Sequence, residues 1–247
     1  MKHLLLILAI FLCFSCTNRE NDPYPYTFHS TKNFKGTAVE ELARYVEKND
    51  TISIVSFLHD NPSINIDTKD KYFGHTLLMF AIFNRKYESF HCLLNHGASP
   101  LFIGDYEKRT PLYMAATFGH YLPNGDVDYR FCKELLERGA DPNEHHILHN
   151  AVGVDLSYVK LLIEHGADYN SKWNGWSPAD YAIIQVKPEI AEYLIIEKKA
   201  LLYDHPDWDT WTDAGDVLMH SKEKIINYID SHPEQIKATI GSQGQVP

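Results

Sequence analysis

Residues Leu135 to Asn143 read LLERGADPN, and near copies begin at Leu93 (LLNHGASP) and at Leu162 (LIEHGADYN). Each copy is two large apolar residues, a polar pair, a glycine, and a small residue. That is the closing turn of an amphipathic helix followed by its stop. Glycine takes the left-handed conformation that ends a helix at the least steric cost. A phrase written three times predicts one structural unit built three times and stacked. No unit of that size can bury its own apolar face, so neighbours must cover it.

Aligning the chain on this phrase gives four units. The first is GHTLLMFAIFNRKYESFHCLLNHGASP, from Gly74, and the second is KRTPLYMAATFGHYLPNGDVDYRFCKELLERGADPN, from Lys108. The third is EHHILHNAVGVDLSYVKLLIEHGADYN, from Glu144, and the fourth is GWSPADYAIIQVKPEIAEYLIIEKKA, from Gly175. The spacing is 34 residues from Thr76 to Thr110, 36 from Leu112 to Leu148, and 31 from Leu148 to Ala179. Upstream, VEELARYVEKNDTISIVSFLHDN carries two helical apolar stripes, Val39, Leu42, Val46 and Ile54, Val55, Leu58, separated by KND. It reads as a degenerate copy of the same helix pair.

The remaining signals fit this scheme. Thr110-Pro111 and Ser177-Pro178 open helices: the hydroxyl accepts from orphan backbone N–H groups, and proline sits where no N–H is missed. Ala81, Ala115, Ala116, Ala151 and Ala182 are small so that inner helices can approach closely. Leu93-Leu94, Leu135-Leu136 and Leu162-Ile163 fill the groove between the two helices of a unit.

From Val39 to Ala200 these units resemble ankyrin repeats, whose core phrases are T-P-L-H-x-A-A and L-L-x-x-G-A-D-x-N. The resemblance implies an all-α solenoid of helix-turn-helix units with short hairpin loops, residues 36–200, about five units with the first degenerate. A C-terminal helical cap and tail, 201–247, would follow, with a helix near Asp216 to Asp230. The histidine after T-P-L is replaced by Met79, Tyr113 and Asp180 and is kept only as His149. The second unit carries an insertion around Tyr121 to Asp128. The third is short between Gly139 and His149, so its hairpin is expected to be truncated.

The net charge of −10 argues against nucleic acid and against a polybasic membrane patch, both of which reward basic surfaces. At the start, MKHLLLILAIFLCFSC has a basic Lys2 and an apolar run from Leu4 to Phe14. Such a run rises about 16 Å as a helix, short of the ~30 Å hydrocarbon core, and has the size of a signal-peptide core. Ser15-Cys16 resembles a bacterial lipobox, although Cys13 stands where leucine is usual. The expectation is a signal peptide over 1–15, lipidation of Cys16, and a polar tether over 16–35. The protein would then be an envelope lipoprotein on the periplasmic or surface side; a secreted or periplasmic soluble protein is the alternative. Cys92 and Cys132 are expected to be buried thiols rather than a disulfide.

His145, His146 and His149 are the tempting metal cluster. Yet His149 falls on the structural histidine of the repeat, and its neighbours sit at a helix start. No HExxH, calcium loop, phosphate loop or G-x-S-x-G is present. A noncatalytic chain with no metal and no cofactor is expected, monomeric on its own, binding another protein. The resemblance implies contact through hairpin tips and the concave side of the first helices. Those positions hold Tyr72, Phe73, His75 and Phe83 in the first unit, Tyr106, Glu107, Arg109 and Phe118 in the second, and Trp173 and Trp176 in the fourth. Aromatic side chains with an arginine are the composition of interface anchors. The role expected is an immunity or inhibitor protein. A scaffold or stress accessory factor is a second reading, and an envelope enzyme or small-ligand binder using the insertion is a third. WDTWTDAGD, Trp208 to Asp216, reads as a cover for the end of the stack.

Overall fold

The computed structural model describes residues 28–118, 127–202 and 216–235. The signal peptide, Cys16, most of the tether, the centre of the insertion and Trp208 to Ala214 therefore lie outside the described residues. The described chain is all helical, in pairs. The pairs are α1 (Glu40–Lys48) with α2 (Thr51–Asp60), α3 (Leu77–Phe83) with α4 (Tyr87–Asn95), and α5 (Pro111–Phe118) with α6 (Arg130–Glu137). They continue with α7 (Ile147–Val154) and α8 (Leu156–Glu164), then α9 (Pro178–Ile184) and α10 (Pro188–Glu192). Helix α11 (Asp216–Ser231) packs on α10 and closes the row. Among the described residues no helix is long and apolar enough to cross a membrane.

The odd-numbered helices through α9 form an inner row, each packing on the next, and the even-numbered helices an outer one. Ala81, Ala115, Ala116, Ala151 and Ala182 are all buried between inner helices. The repeated phrase delivers one geometry three times. The amides of Ala98, Ala140 and Ala167 each donate to the carbonyl five residues back, at Leu93, Leu135 and Leu162, all at 3.0 Å. The glycines before them have φ of 93°, 89° and 95°, the left-handed stop of a Schellman turn.

The asparagine that ends the phrase links one unit to the next. Asn143 Oδ1 accepts from the Asp168 amide at 2.7 Å, and Asn170 Oδ1 from the Leu201 amide at 2.7 Å. At the end of the degenerate upstream unit Asp67 does the same for Ser99, at 3.0 Å.

Helix starts follow the sequence. Thr110 Oγ1 accepts from the Tyr113 amide at 3.1 Å. Ser177 and Asp180 form a reciprocal capping box, which explains the aspartate where the repeat usually has histidine. The fourth unit has no glycine stop. There the chain leaves α10 through a π turn, Tyr193–Glu197, and Lys199 takes a positive φ of 56°. Cys92 and Cys132 are buried free thiols. Cys132 Sγ lies 3.0 Å from the Tyr158 hydroxyl on α8, and burial pushes its thiol up to about 12.

One boundary is corrected. The tether does not run to Lys35: Thr31–Phe34 forms a 3-10 turn that belongs to the stack. Phe34 is 1% exposed and meets the Phe80 ring edge-on at 5.6 Å. Its apolar side chain fills the end that the degenerate first unit would leave wet.

Candidate functional site

Hairpin tips project beyond the inner helices, and local sequence fixes each one differently. In the fourth unit Asn174 and Gly175 both have positive φ, 51° and 89°. Trp173 and Trp176 exchange backbone hydrogen bonds across them at 2.9 and 3.0 Å, a two-residue primed turn of the Asn-Gly kind. In the second unit Glu107 and Lys108 occupy the same places, φ 50° and 54°. The first tip is organised by buried Asp70. Its Oδ1 accepts from the Tyr72 and Phe73 amides at 2.8 and 2.7 Å, and its Oδ2 from the His75 amide at 2.9 Å. Gly74 is needed there: a Cβ on it would lie 2.5 Å from Asp105 Oδ2 of the next tip. The third unit has no such hairpin. Glu144–His146 is a 3-10 turn in which His145 and His146 take positive φ.

These tips and the inner helices bring most of the expected residues into one stripe. Phe83 and Phe118, at corresponding ends of α3 and α5, touch with ring centroids 5.1 Å apart. Phe73 stacks near His75 at 5.7 Å. The Arg109 guanidinium lies 5.4 Å from the Phe118 ring and 5.7 Å from that of Tyr113, and is ion-paired with Glu107 at 2.6 Å. Tyr113 continues the stripe to His145 at 4.9 Å. Trp173 sits against His146, His149 and Tyr181 at 6.0, 6.0 and 5.6 Å.

The expected residues do not all stand exposed. His75 and Arg109 are buried, at 4% and 8%, so they form the floor of the stripe rather than its rim. Tyr72 and Glu107 are exposed, while Phe73, Phe83, Phe118, Trp173 and Trp176 are half-buried. What the fold uses at Trp176 is its carbonyl, which accepts from His149 Nε2 at 3.0 Å. The side chain of Tyr106 lies outside the described residues.

Burial sets the protonation states here. It lowers His75 to about 4, with Asp70 opposing and Arg109 assisting. It lowers His149 as well, against the Trp176 carbonyl, which favours the proton. Burial raises the carboxyl of Glu144, whose side chain accepts from the Thr110 hydroxyl. The floor is therefore neutral imidazole and one paired guanidinium, suited to aromatic and amide groups rather than to a bare charge.

Sequence reasoning missed Phe28. Its ring lies 4.4 Å from Phe73, 5.1 Å from His75, 5.2 Å from Phe83 and 5.4 Å from the Arg109 guanidinium. The His29 ring beside it lies tilted against Phe83 at 4.3 Å. Asp70, Tyr113 and Tyr181 were also missed. Asp70 carried a signal, since an aspartate two and three residues before an amide-rich tip is the pattern of an Asx turn.

The three histidines are each engaged within the fold. His149 is held by Trp176, His145 Nε2 lies 3.2 Å from the Lys108 carbonyl, and His146 stacks on Trp173. Among the described residues no group of three His, Cys, Asp or Glu could share a metal ion. On the outer row, a cleft of about 500 Å³ between α4 and α6 is lined by Tyr87, His91, Arg130 and Glu134, among others. Glu134 there accepts from Tyr87 at 3.1 Å, His91 at 2.9 Å and Arg138 at 2.9 Å. Its lone pairs are taken up in tying two units together.

Compared with protein-family models, residues 42–143 and 123–204 match the one described as ankyrin repeats (3 copies). No curated protein matches the chain.

Proposed function

The chain belongs to the ankyrin-repeat family, and from that premise we propose that it is a noncatalytic module binding a partner protein through the aromatic stripe along its inner helices. Ankyrin repeats are generally protein-interaction modules. The observation that carries this reading is the ring cluster in which Phe83 meets Phe118 and the Arg109 guanidinium lies over Phe118, joining two units, with Trp173 of the fourth unit packed on His146 of the third. A face assembled before the partner arrives needs little ordering on association, so aromatic contacts convert efficiently into affinity.

The test is capture with the full chain as bait. Trp173→Ala removes the half-buried ring anchor of the fourth unit, while the His149 bond runs to the Trp176 backbone carbonyl. Capture of a stoichiometric partner is expected to fall about thirty-fold, the loss typical of an interface anchor. Equal capture by both proteins would remove the face from consideration.

The reading extends to export. Residues 1–15 act as a signal peptide, and Cys16 carries lipid that holds the stack at a bacterial envelope membrane. Its support is the basic, apolar, small-cysteine order of the first sixteen residues. Cys16→Ser is expected to abolish labelling by a fatty-acid probe and to move the protein from the membrane to the soluble fraction. Retention on the membrane would contradict the anchor. Within that setting an immunity or inhibitor role fits an exported single-stack binder, and an envelope scaffold is the runner-up. The two separate on stoichiometry: an inhibitor holds one protein tightly, one to one.

A further inference from the structure

The first half of the stripe is not open. Phe28 reaches it from the segment before the first helix and enters the space bounded by Phe73, Phe83 and Arg109. The hold on this segment is graded. Phe34 is locked in the core at 1% exposure, and the Asn33 carbonyl accepts from the Lys71 amide at 3.2 Å. Six residues earlier, Phe28 is half-buried and His29 is exposed. The His29 ring bonds Asn84 at 3.1 Å. The segment is thus pinned at one end and laid across the cleft at the other.

The floor beneath it is built for more than a ring. His75 is 4% exposed, yet its Nε2 has no hydrogen-bond partner among the described residues. A buried polar nitrogen left unsatisfied costs stability unless something supplies the bond.

We propose that the cleft bounded by Phe73, His75, Phe83 and Arg109 is a receptor for a phenylalanine-bearing peptide segment, filled in this chain by its own Phe28, and that a partner enters by putting such a segment in its place. This rests on the protein-binding reading above and deepens it by naming what the partner presents. A tethered occupant competes at an effective concentration on the order of millimolar. The strap therefore rejects weak aromatic peptides and yields to a partner that also engages the open half at Trp173. Residues 24–27, YPYT, precede Phe28 in the sequence, so the strap supplies its own model ligand.

The experiment uses the full chain and a fluorescein-labelled peptide, YPYTFHSTK, residues 24–32. Binding is read by fluorescence anisotropy. Phe28→Ala is expected to bind the peptide at least ten-fold more tightly than the unaltered protein. The same peptide with alanine for phenylalanine is expected not to bind, and adding Phe83→Ala to Phe28→Ala is expected to abolish binding. Should Phe28→Ala fold poorly by circular dichroism, Phe28→Leu keeps apolar bulk at the site and is expected to give the same direction at smaller size. Equal binding to altered and unaltered chains, or none to either, overturns the strap. Peptide failure with capture still dependent on Trp173 overturns the strap alone. Peptide success with capture indifferent to Trp173→Ala overturns the wider face instead.

Discussion

Replacing Phe131 by alanine is expected to lower the free energy of unfolding by roughly 3–5 kcal/mol and to split one cooperative transition into two. Phe131 on α6 is 1% exposed, and its ring meets Phe90 at 5.0 Å and Tyr87 at 5.2 Å, both on α4 and both edge-on. It therefore belongs to the seam between two units rather than to either alone. Stability in a stack is a sum over units and over the contacts between neighbours. Deleting one large ring at a seam removes burial and leaves a cavity that backbone helices cannot close. The halves on either side then lose much of their coupling. Urea unfolding should show it in two signals. Tryptophan fluorescence, from Trp173, Trp176, Trp208 and Trp211, reports the C-terminal part of the chain, and far-UV circular dichroism reports the whole. In the unaltered protein the two curves should coincide; in Phe131→Ala they should separate. Phe131→Leu, which keeps most of the volume, is expected to cost under about 1.5 kcal/mol. Coincident curves with an unshifted midpoint in the alanine variant would mean that the seam does not couple the units.

Acid is expected to destabilise the fold through His75. The group titrates near 6.5 when unfolded and is lowered to about 4 in the fold. Between those values the unfolded chain binds more protons, so stability falls as pH falls. The loss begins near pH 6.5 and is complete near pH 4. At 1.36 kcal/mol per unit it amounts to about 3 kcal/mol. The groups facing His75 modulate it: Asp70 favours the charged ring, while Arg109 opposes it. Glu144 and Asp67, raised by burial, act with the opposite sign, since protonation favours their folded form. The clean measure is therefore a difference. Chemical denaturation from pH 7 to pH 4 should show the unaltered protein losing about 3 kcal/mol more than His75→Gln. Parallel profiles for the two would place the acid sensitivity elsewhere.

Much of this architecture was legible because each repeated residue has one local job. Leu-Leu, then Gly-Ala predicts a helix end and a left-handed stop, and the Ala140 amide closes that turn; the onward link through the Asn143 side chain was not read from the sequence. Thr110-Pro111 and Ser177-Pro178 likewise mark helix starts by chemistry confined to one turn. The site was legible only in part. Phe83 and Phe118 could be named because the repeat puts each near the end of its inner helix, although their contact was not foreseen. His75 and Arg109 were expected at the rim, since repeat position alone tells which row a residue is in and not how deep it lies. Phe28 was invisible, because its partners lie more than forty residues away and a polar, proline-containing segment carries no period. The short spacing before His149 predicted a lost hairpin, and Glu144–His146 is a single tight turn. It could not say that two histidines would take left-handed backbone to make it.

The buried thiols offer a way to watch the stack breathe. A sulfur whose proton is held as firmly as that of Cys132 does not react with alkylating reagents, which attack the thiolate. Reaction must wait for an excursion that parts α6 from α8, so its rate counts such openings. Cys92 on α4, 8% exposed, stands on the other side of the Phe90–Phe131 contact. Nature has thus placed one chemical clock on each bank of the seam, and comparing their ticking tells whether the two units open together or in turn.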